Sequence, residues 1–284
     1  MPDPGARTEI SESMVTPMDQ IAVGVEGLRI AFVNVFGVAT ANGSWTLIDT
    51  GLLFSAGFVR SWGERTFGVP ASAIVLTHGH FDHVSGAAEL AQAWGAPIYA
   101  HPLEFPYLTG EKEYPPPQVG AGGGPGGVLM SLLSHLYPRG PVDLTRWLRP
   151  LATGPGAGDA TPVAGWEIIP TPGHTPGHIS LFRSSDMALL VGDAFCTTKP
   201  ESFFEAAVAQ LPELHGPPAY FTVDPQQAAR SIRLLANLHP RIIAPGHGRP
   251  LAGAALEEKL PQFLTEYSSG RTTGLEPGAG FAAA

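Results

Sequence analysis

Cysteine occurs once, at Cys196, so no disulfide can form within the chain, and a reducing compartment, the cytoplasm, is expected. Charge is scarce as well. Asp, Glu, Lys and Arg supply 14% of the 284 residues against 44% apolar ones, a balance that suits a packed core and excludes a disordered chain. The net charge is −9 with no basic cluster, so nothing stands ready to neutralise a phosphate backbone and no nucleic-acid partner is expected. No apolar run approaches the roughly 18–20 residues that a membrane-spanning helix needs, and no membrane partner is expected. Asp3, Arg7, Glu9, Glu12 and Asp19 interrupt the first twenty residues, which therefore do not read as an export signal. The pattern G-x-S-x-G is missing, which removes the serine nucleophile elbow.

What the chain has in quantity is glycine and proline, 35 and 29 residues. They concentrate in "YPPPQVGAGGGPGG" at 114–127, a loop by composition, followed by an apolar helical segment at 128–137. That segment could line a cleft, cover the core or make a homodimer contact. On either side the pattern is strand followed by helix. Residues 29–38, 45–49, 73–77 and 97–100 read as strands, with Asn-Gly at 42–43 marking a hairpin, and 54–67 and 84–94 read as helices. Past the Pro/Gly stretch, strands are expected at 165–170, 178–183, 187–193 and 241–245. A helix is expected at 224–239, with Asp224 as N-cap and Pro225 in its first turn, and a last helix at 253–269. Two halves of one plan suggest two sheets with helices outside. We read residues 1–284 as one domain carrying an insertion at about 104–162 that covers the active site.

Histidine is sparse, ten in all, yet "LTHGHFDHVSGAAEL" puts His78, His80, Asp82 and His83 within six positions. In an extended stretch, residues two apart share a face, so His78 and His80 point the same way. A turn can bring Asp82 and His83 back to the same point. Imidazole and carboxylate together suit zinc or a similar divalent ion, and packing alone seldom explains four such groups. More polar residues stand at strand ends: His174 in "PTPGHTPGHIS", Asp193 in "LLVGDAF" and His247 in "IIAPGHGRPL".

In this order, "HGHFDH", "PGHTPGHIS", "GDAF" and "PGHG" resemble the metallo-β-lactamase fold superfamily over about residues 21–252. The resemblance implies an α/β fold: a four-layer αβ/βα sandwich of two mixed β-sheets with helices on the outer faces. It implies that His78, His80 and His174 bind one divalent ion and Asp82, His83 and His247 a second, with Asp193 bridging them. Zinc is the first choice, with iron or manganese fitting the same ligands. Asp193 and Asp82 would be the catalytic carboxylates, and Asp49 of "LIDTG" would orient a ligand. The implied activity is a metal-dependent hydrolase that uses a bridging hydroxide to cleave an ester, thioester or lactone in a small-molecule substrate.

"TPGHTPGHIS" looks most like the glyoxalase II-type thioesterases, from which the chain departs after His247, where only Arg249, Lys259 and Arg271 are basic. The alternatives are a mononuclear-iron oxidoreductase of persulfide-dioxygenase type and a metal-binding protein without catalysis. Persulfide dioxygenases tend to carry Cys where His178 stands. Acyl-homoserine-lactone lactonases have Tyr where Cys196 stands, flavodiiron proteins replace the second histidine with Glu, and RNA-processing members need nucleic-acid-binding insertions. His178 either hydrogen-bonds near the site or, as the preferred reading, is a satisfied histidine behind the ligands or in the core, and Cys196 is expected to be a buried, inert thiol. Tyr220 and Phe221 border the pocket or pack in the core, while Lys199 and Arg183 are either surface charges or partners of a substrate carboxylate. His101, His135, His215 and His239 receive no role.

Overall fold

The computed structural model describes residues 11–117, 142–154, 161–199 and 212–268. Among them, seven strands form one sheet in chain order. They are β1 (Val15–Pro17), β2 (Val25–Ile30), β3 (Val33–Ala39), β4 (Trp45–Ile48), β5 (Ala73–Val75), β6 (Ile98–Ala100) and β7 (Leu148–Pro150). Five more, β8 (Glu167–Pro170), β9 (Ile179–Arg183), β10 (Ala188–Gly192), β11 (Ile242–Pro245) and β12 (Leu251–Ala252), form a second sheet ordered β12-β11-β10-β9-β8. Both sheets are mixed: β4 to β7 run parallel beside an antiparallel β1–β4 meander, and β10 is parallel to β11 between antiparallel neighbours. The helices are α1 (Ala56–Phe67), α2 (Phe81–Val84), α3 (Ala87–Trp94), α4 (Phe105–Leu108), α5 (Pro225–Ala236) and α6 (Gly253–Ser268). Among the described residues no helix is long and apolar enough to cross a membrane.

Alternation along the strands builds the layers. On β3, Val33 and Val35 face α1 and α3, while Phe36 and Val38 face the other sheet. On β10, Ala188 and Leu190 point into the sandwich, while Leu189 and Val191 pack under α5 and α6. The result is the expected sandwich, helices outside and two sheets within. Trp45 is fully buried in the outer layer against Trp62, Phe67 and Trp94. Each fully buried Val, Leu or Ile contributes about 1.5–3 kcal/mol, so the strand ends are held on a stiff frame.

The structure departs from the sequence reading in three places. Residues 29–38 are not one strand: β2 and β3 pair from Val25↔Val38 to Ile30↔Val33, and the chain reverses at Ala31 (φ 56°) and Phe32. No Gly or Asn marks this turn, and its apolar residues conceal it. The helix expected at 84–94 is broken by Ser85 and Gly86, so Asp82 and His83 ride on the separate one-turn helix α2. Residues within 104–162 are also not all inserted loop: α4 buries Leu108 in the core and β7 extends the first sheet. The Pro/Gly stretch from 118 onward, the 128–137 segment and His135 lie outside the described residues.

Asp224 caps α5 as expected, accepting from the Gln227 N–H at 2.9 Å with extended backbone (φ −135°, ψ 95°). That backbone hydrogen bond is the chief cause holding its carboxyl below the usual range. Asp224→Ala should therefore cost about 0.5–1 kcal/mol at neutral pH, a modest figure because the carboxylate stands in screening solvent. A folded-state pKa below the unfolded one means that this contribution is present above the unfolded pKa and fades as pH falls through the folded one. Urea unfolding at neutral and at acidic pH checks this: the gap between variant and parent should shrink in acid.

Candidate metal centre

One rim of the sandwich collects the polar strand ends. His78 and His80 follow β5, His174 lies between β8 and β9, Asp193 follows β10 directly, and His247 follows β11. The two sheets touch at this rim, where the Ile179 N–H donates to the Thr77 carbonyl at 3.0 Å. The seven residues singled out in the sequence come together here. His78, His80 and His174 offer ligand atoms within 4.8 Å of one another, and so do Asp82, His83 and His247. Asp193 lies between the two trios: Oδ1 is 3.4 Å from His83 Nε2, and Oδ2 is 3.5 Å from His174 Nε2 and 3.1 Å from His247 Nε2.

The outward nitrogen is already committed in four of the five imidazoles, while His80 turns its Nδ1 toward His78 Nε2 at 3.1 Å. His83 Nδ1–H donates to Asp49 Oδ2 at 2.8 Å. Thr77 Oγ1 donates to the same oxygen at 2.8 Å, so it can only accept from His78 Nδ1–H, 3.0 Å away. His247 Nδ1–H donates to the Phe32 carbonyl at 2.8 Å. Thr222 Oγ1 donates to the Pro218 carbonyl and so accepts the long 3.5 Å contact from His174 Nδ1. In the neutral form of all four, this leaves Nε2 as the inward nitrogen that carries the lone pair. Asp49 thus orients His83 and, through Thr77, His78, from a left-handed backbone (φ 59°) that spends conformational energy on this placement.

His178 takes a different part. Its Nε2 accepts the Asp193 N–H at 2.9 Å and is not open to an ion. Its Nδ1–H must then donate to Thr171 Oγ1 at 2.8 Å, Thr171 to Ser180 Oγ, and Ser180 to the Val191 carbonyl. This chain is buried, and burial pushes His178 down to about 3, keeping it the neutral acceptor that the geometry requires.

Electrostatics divides the trios. Burial first, then the charge of neighbouring histidines, holds His78 and His174 well below the ordinary value, and burial brings His80 down to about 4. Burial thus favours the neutral form of all three imidazoles. Burial opposes charge on His247 and His83 too, but Asp193 with Asp82, and for His83 also Asp49, outweighs it. His247 is lifted to about 10 and His83 stands well above the usual histidine range. Asp193 is driven well below the carboxylate range, against its own burial, by His247 and His83.

A divalent cation fits this donor set. His83 Nε2, His174 Nε2 and Asp193 Oδ1 are buried without hydrogen-bond partners, an arrangement that costs about 1–3 kcal/mol per group unless something positive sits among them. Nitrogen and oxygen donors of this kind suit zinc, iron or manganese.

Other residues fall into place around the rim. The Phe221 ring is 5.4 Å from that of His80, and Phe32 stacks at 5.9 Å on His247. Tyr220 and Cys196 are buried. Arg183 is an ion-pair partner of Asp186 at 2.7 Å and lies over Trp166 at the far end of β9, so it takes no part in the site. Lys199 is exposed. His101 caps the turn at Pro102–Glu104. Sequence reasoning missed Asn34, which pins the His247 loop by donating to the Pro245 and Gly248 carbonyls at 2.9 and 2.6 Å. It also missed Glu104 and Tyr114 beneath His80. The available signal was a lone polar residue in an apolar run, "AFVNVFGV" and "HPLEFPYL".

Residues 29–247 match the sequence profile described as the metallo-beta-lactamase superfamily. The probable metallo-hydrolase YflN of Bacillus subtilis (strain 168) is 39% identical over 254 residues, covering 88% of this chain and 93% of that protein. The BLEG-1 B3 metallo-beta-lactamase structure superposes with a TM-score of 0.54 at 22% identity, over 89% of this chain and 100% of that one. TTHA1623, solved in a di-iron-bound form, gives a TM-score of 0.53 at 22% identity, over 87% and 98%.

Proposed function

The chain belongs to the metallo-beta-lactamase superfamily and is a metal-dependent hydrolase, and from that premise we propose that it carries two ions and cleaves an ester, thioester or lactone. His78, His80 and His174 would hold one ion, Asp82, His83 and His247 the other, with Asp193 reaching both. The observation that carries this reading is the convergence of five imidazoles from both sheets around the Asp193 carboxylate, four of them with Nδ1 already engaged. Two divalent ions, zinc by preference, would supply Lewis acidity toward a carbonyl and a water made acidic enough to attack it near neutral pH.

The chain's own groups do the rest. Asp193 Oδ1, buried with no hydrogen-bond partner and 3.4 Å from His83 Nε2, would position the attacking water and take its proton. Asp49, Thr77 and the Phe32 carbonyl hold the imidazoles in register, so little reorganisation is left for the reaction itself. Phe221 beside His80 and Phe32 beside His247 would offer apolar walls to an acyl group. The "TPGHTPGHIS" loop favours a thioesterase of glyoxalase II type among these substrates. The single, buried cysteine accords with a cytoplasmic protein.

Metal analysis of protein purified without added metal, paired with a substrate panel, tests the proposal. We expect about two zinc per chain and turnover of at least one ester, thioester or lactone. About one iron per chain with oxygen uptake would replace the hydrolase by an oxidoreductase. Bound metal without turnover of any panel member, β-lactams included, would leave a binding protein.

A further inference from the structure

Glu104 has no solvent exposure, yet its carboxylate lies outside the proposed ligand set. Oε2 accepts the Gly79 N–H at 2.9 Å and the Tyr114 hydroxyl, while Oε1 accepts the Gly177 N–H at 2.7 Å. Gly79 stands between His78 and His80 on the loop that leaves the first sheet. Gly177 stands between His174 and His178 on the loop that enters β9 of the second. One carboxylate therefore joins the backbones of the two loops that supply the three neutral histidines. The Tyr114 oxygen accepts from the same Gly79 N–H at 3.1 Å, and its ring lies 4.6 Å from that of His80. Both loops are shaped to this carboxylate. A Cβ at Gly177 would come within 2.8 Å of Glu104 Cγ and 2.9 Å of Oε1, and one at Gly79 would collide with the Tyr114 hydroxyl.

Resting on the metal-binding reading above, we propose that Glu104 with Tyr114 is a positioning clamp that sets the spacing of His78 and His80 against His174, and so the affinity of that site alone. Bidentate acceptance is the essential feature. A carboxamide of the same size has one oxygen, so its NH2 must face either the Gly79 or the Gly177 N–H, donor against donor. Glu104→Gln therefore releases one loop although volume and burial hardly change. A residue that only filled space would tolerate the exchange.

Zinc and Co2+ titrations on the full chain, in backgrounds that isolate each trio, decide the matter. In Asp82→Ala, which leaves the His78–His80–His174 site, adding E104Q should weaken zinc binding by about 10–100-fold and change the visible Co2+ spectrum. In His80→Ala, which leaves the other trio, E104Q should change neither. Unaltered affinity in the first background overturns the proposal, and so does equal weakening in both, which would mean general loosening. If E104Q does not fold, Tyr114→Phe, which keeps the ring and removes the hydroxyl, decides by the same two comparisons. Absence of metal binding by the unmodified chain sinks the proposed function and this inference with it, whereas two tight sites untouched by E104Q sink the inference alone.

Discussion

Replacing Asp193 by alanine is expected to cut turnover by about 10²–10⁴-fold, the range in which a positioned proton-transfer group contributes. The Asp193 oxygens lie 3.1 to 3.5 Å from His247, His83 and His174, imidazoles of both trios. Without Asp193, the carboxylate contacts shared by the two trios are lost, and on the proposed reading no buried acceptor faces the attacking water. The fold should survive. Burial itself works against the Asp193 charge, and with the aspartate gone His247 and His83 lose a main reason to hold a proton and can become neutral. Asp193→Asn separates charge from shape, because the amide preserves the volume. Turnover should fall about as far as in the alanine variant while thermal unfolding stays near the parent's. Unchanged turnover in either variant would exclude a carboxylate-centred reaction at this rim.

Gly246→Ala is the second large effect, expected to lower turnover by about 10²-fold, the scale on which a displacement of roughly 1 Å costs an enzyme. Nothing in its backbone demands glycine, since Gly246 is not among the positive-φ residues, unlike its neighbour Gly248 at 95°. Space demands it. A Cβ there would lie 2.8 Å from His83 Cε1 and closer still to Asp193 Oδ1, inside the room that the carboxylate occupies. Because the added methyl meets side chains of the centre more than the fold, kcat should drop with little change in urea unfolding. Gly248→Ala makes the contrasting control: its left-handed backbone and the crowding of Thr197 and Thr198 should lower stability as well. A G246A protein with the parent's turnover would refute the packing described around Asp193.

The His78–His83 cluster was legible from local pattern, since extended residues two apart share a face, whereas His174, Asp193 and His247 stood out only as polar residues at strand ends and were joined to it by the family resemblance. The hairpin at Asn42-Gly43 and the cap at Asp224 were legible for the same reason, since each is a contact between residues a few positions apart. The turn at Ala31 and the strand β7 were not, because neither carries a local signature. Nor was the far end of Arg183, whose partner Asp186 is three residues away in sequence but whose distance from the rim depends on which way β9 runs.

The amino-acid order by itself settled which chemical groups are available and which strand tips present them, because periodicity of two and turn chemistry act over a few residues. Only the tertiary structure decided which nitrogen of His83, His174 and His247 faces inward, by bringing Asp49, Thr222 and the Phe32 carbonyl against them. Asn34 reaches Pro245 across 211 positions and Glu104 reaches Gly177 across 73. A buried polar atom takes the partner that packing brings to it, and that partner is fixed by the whole assembled core rather than by any neighbour along the chain.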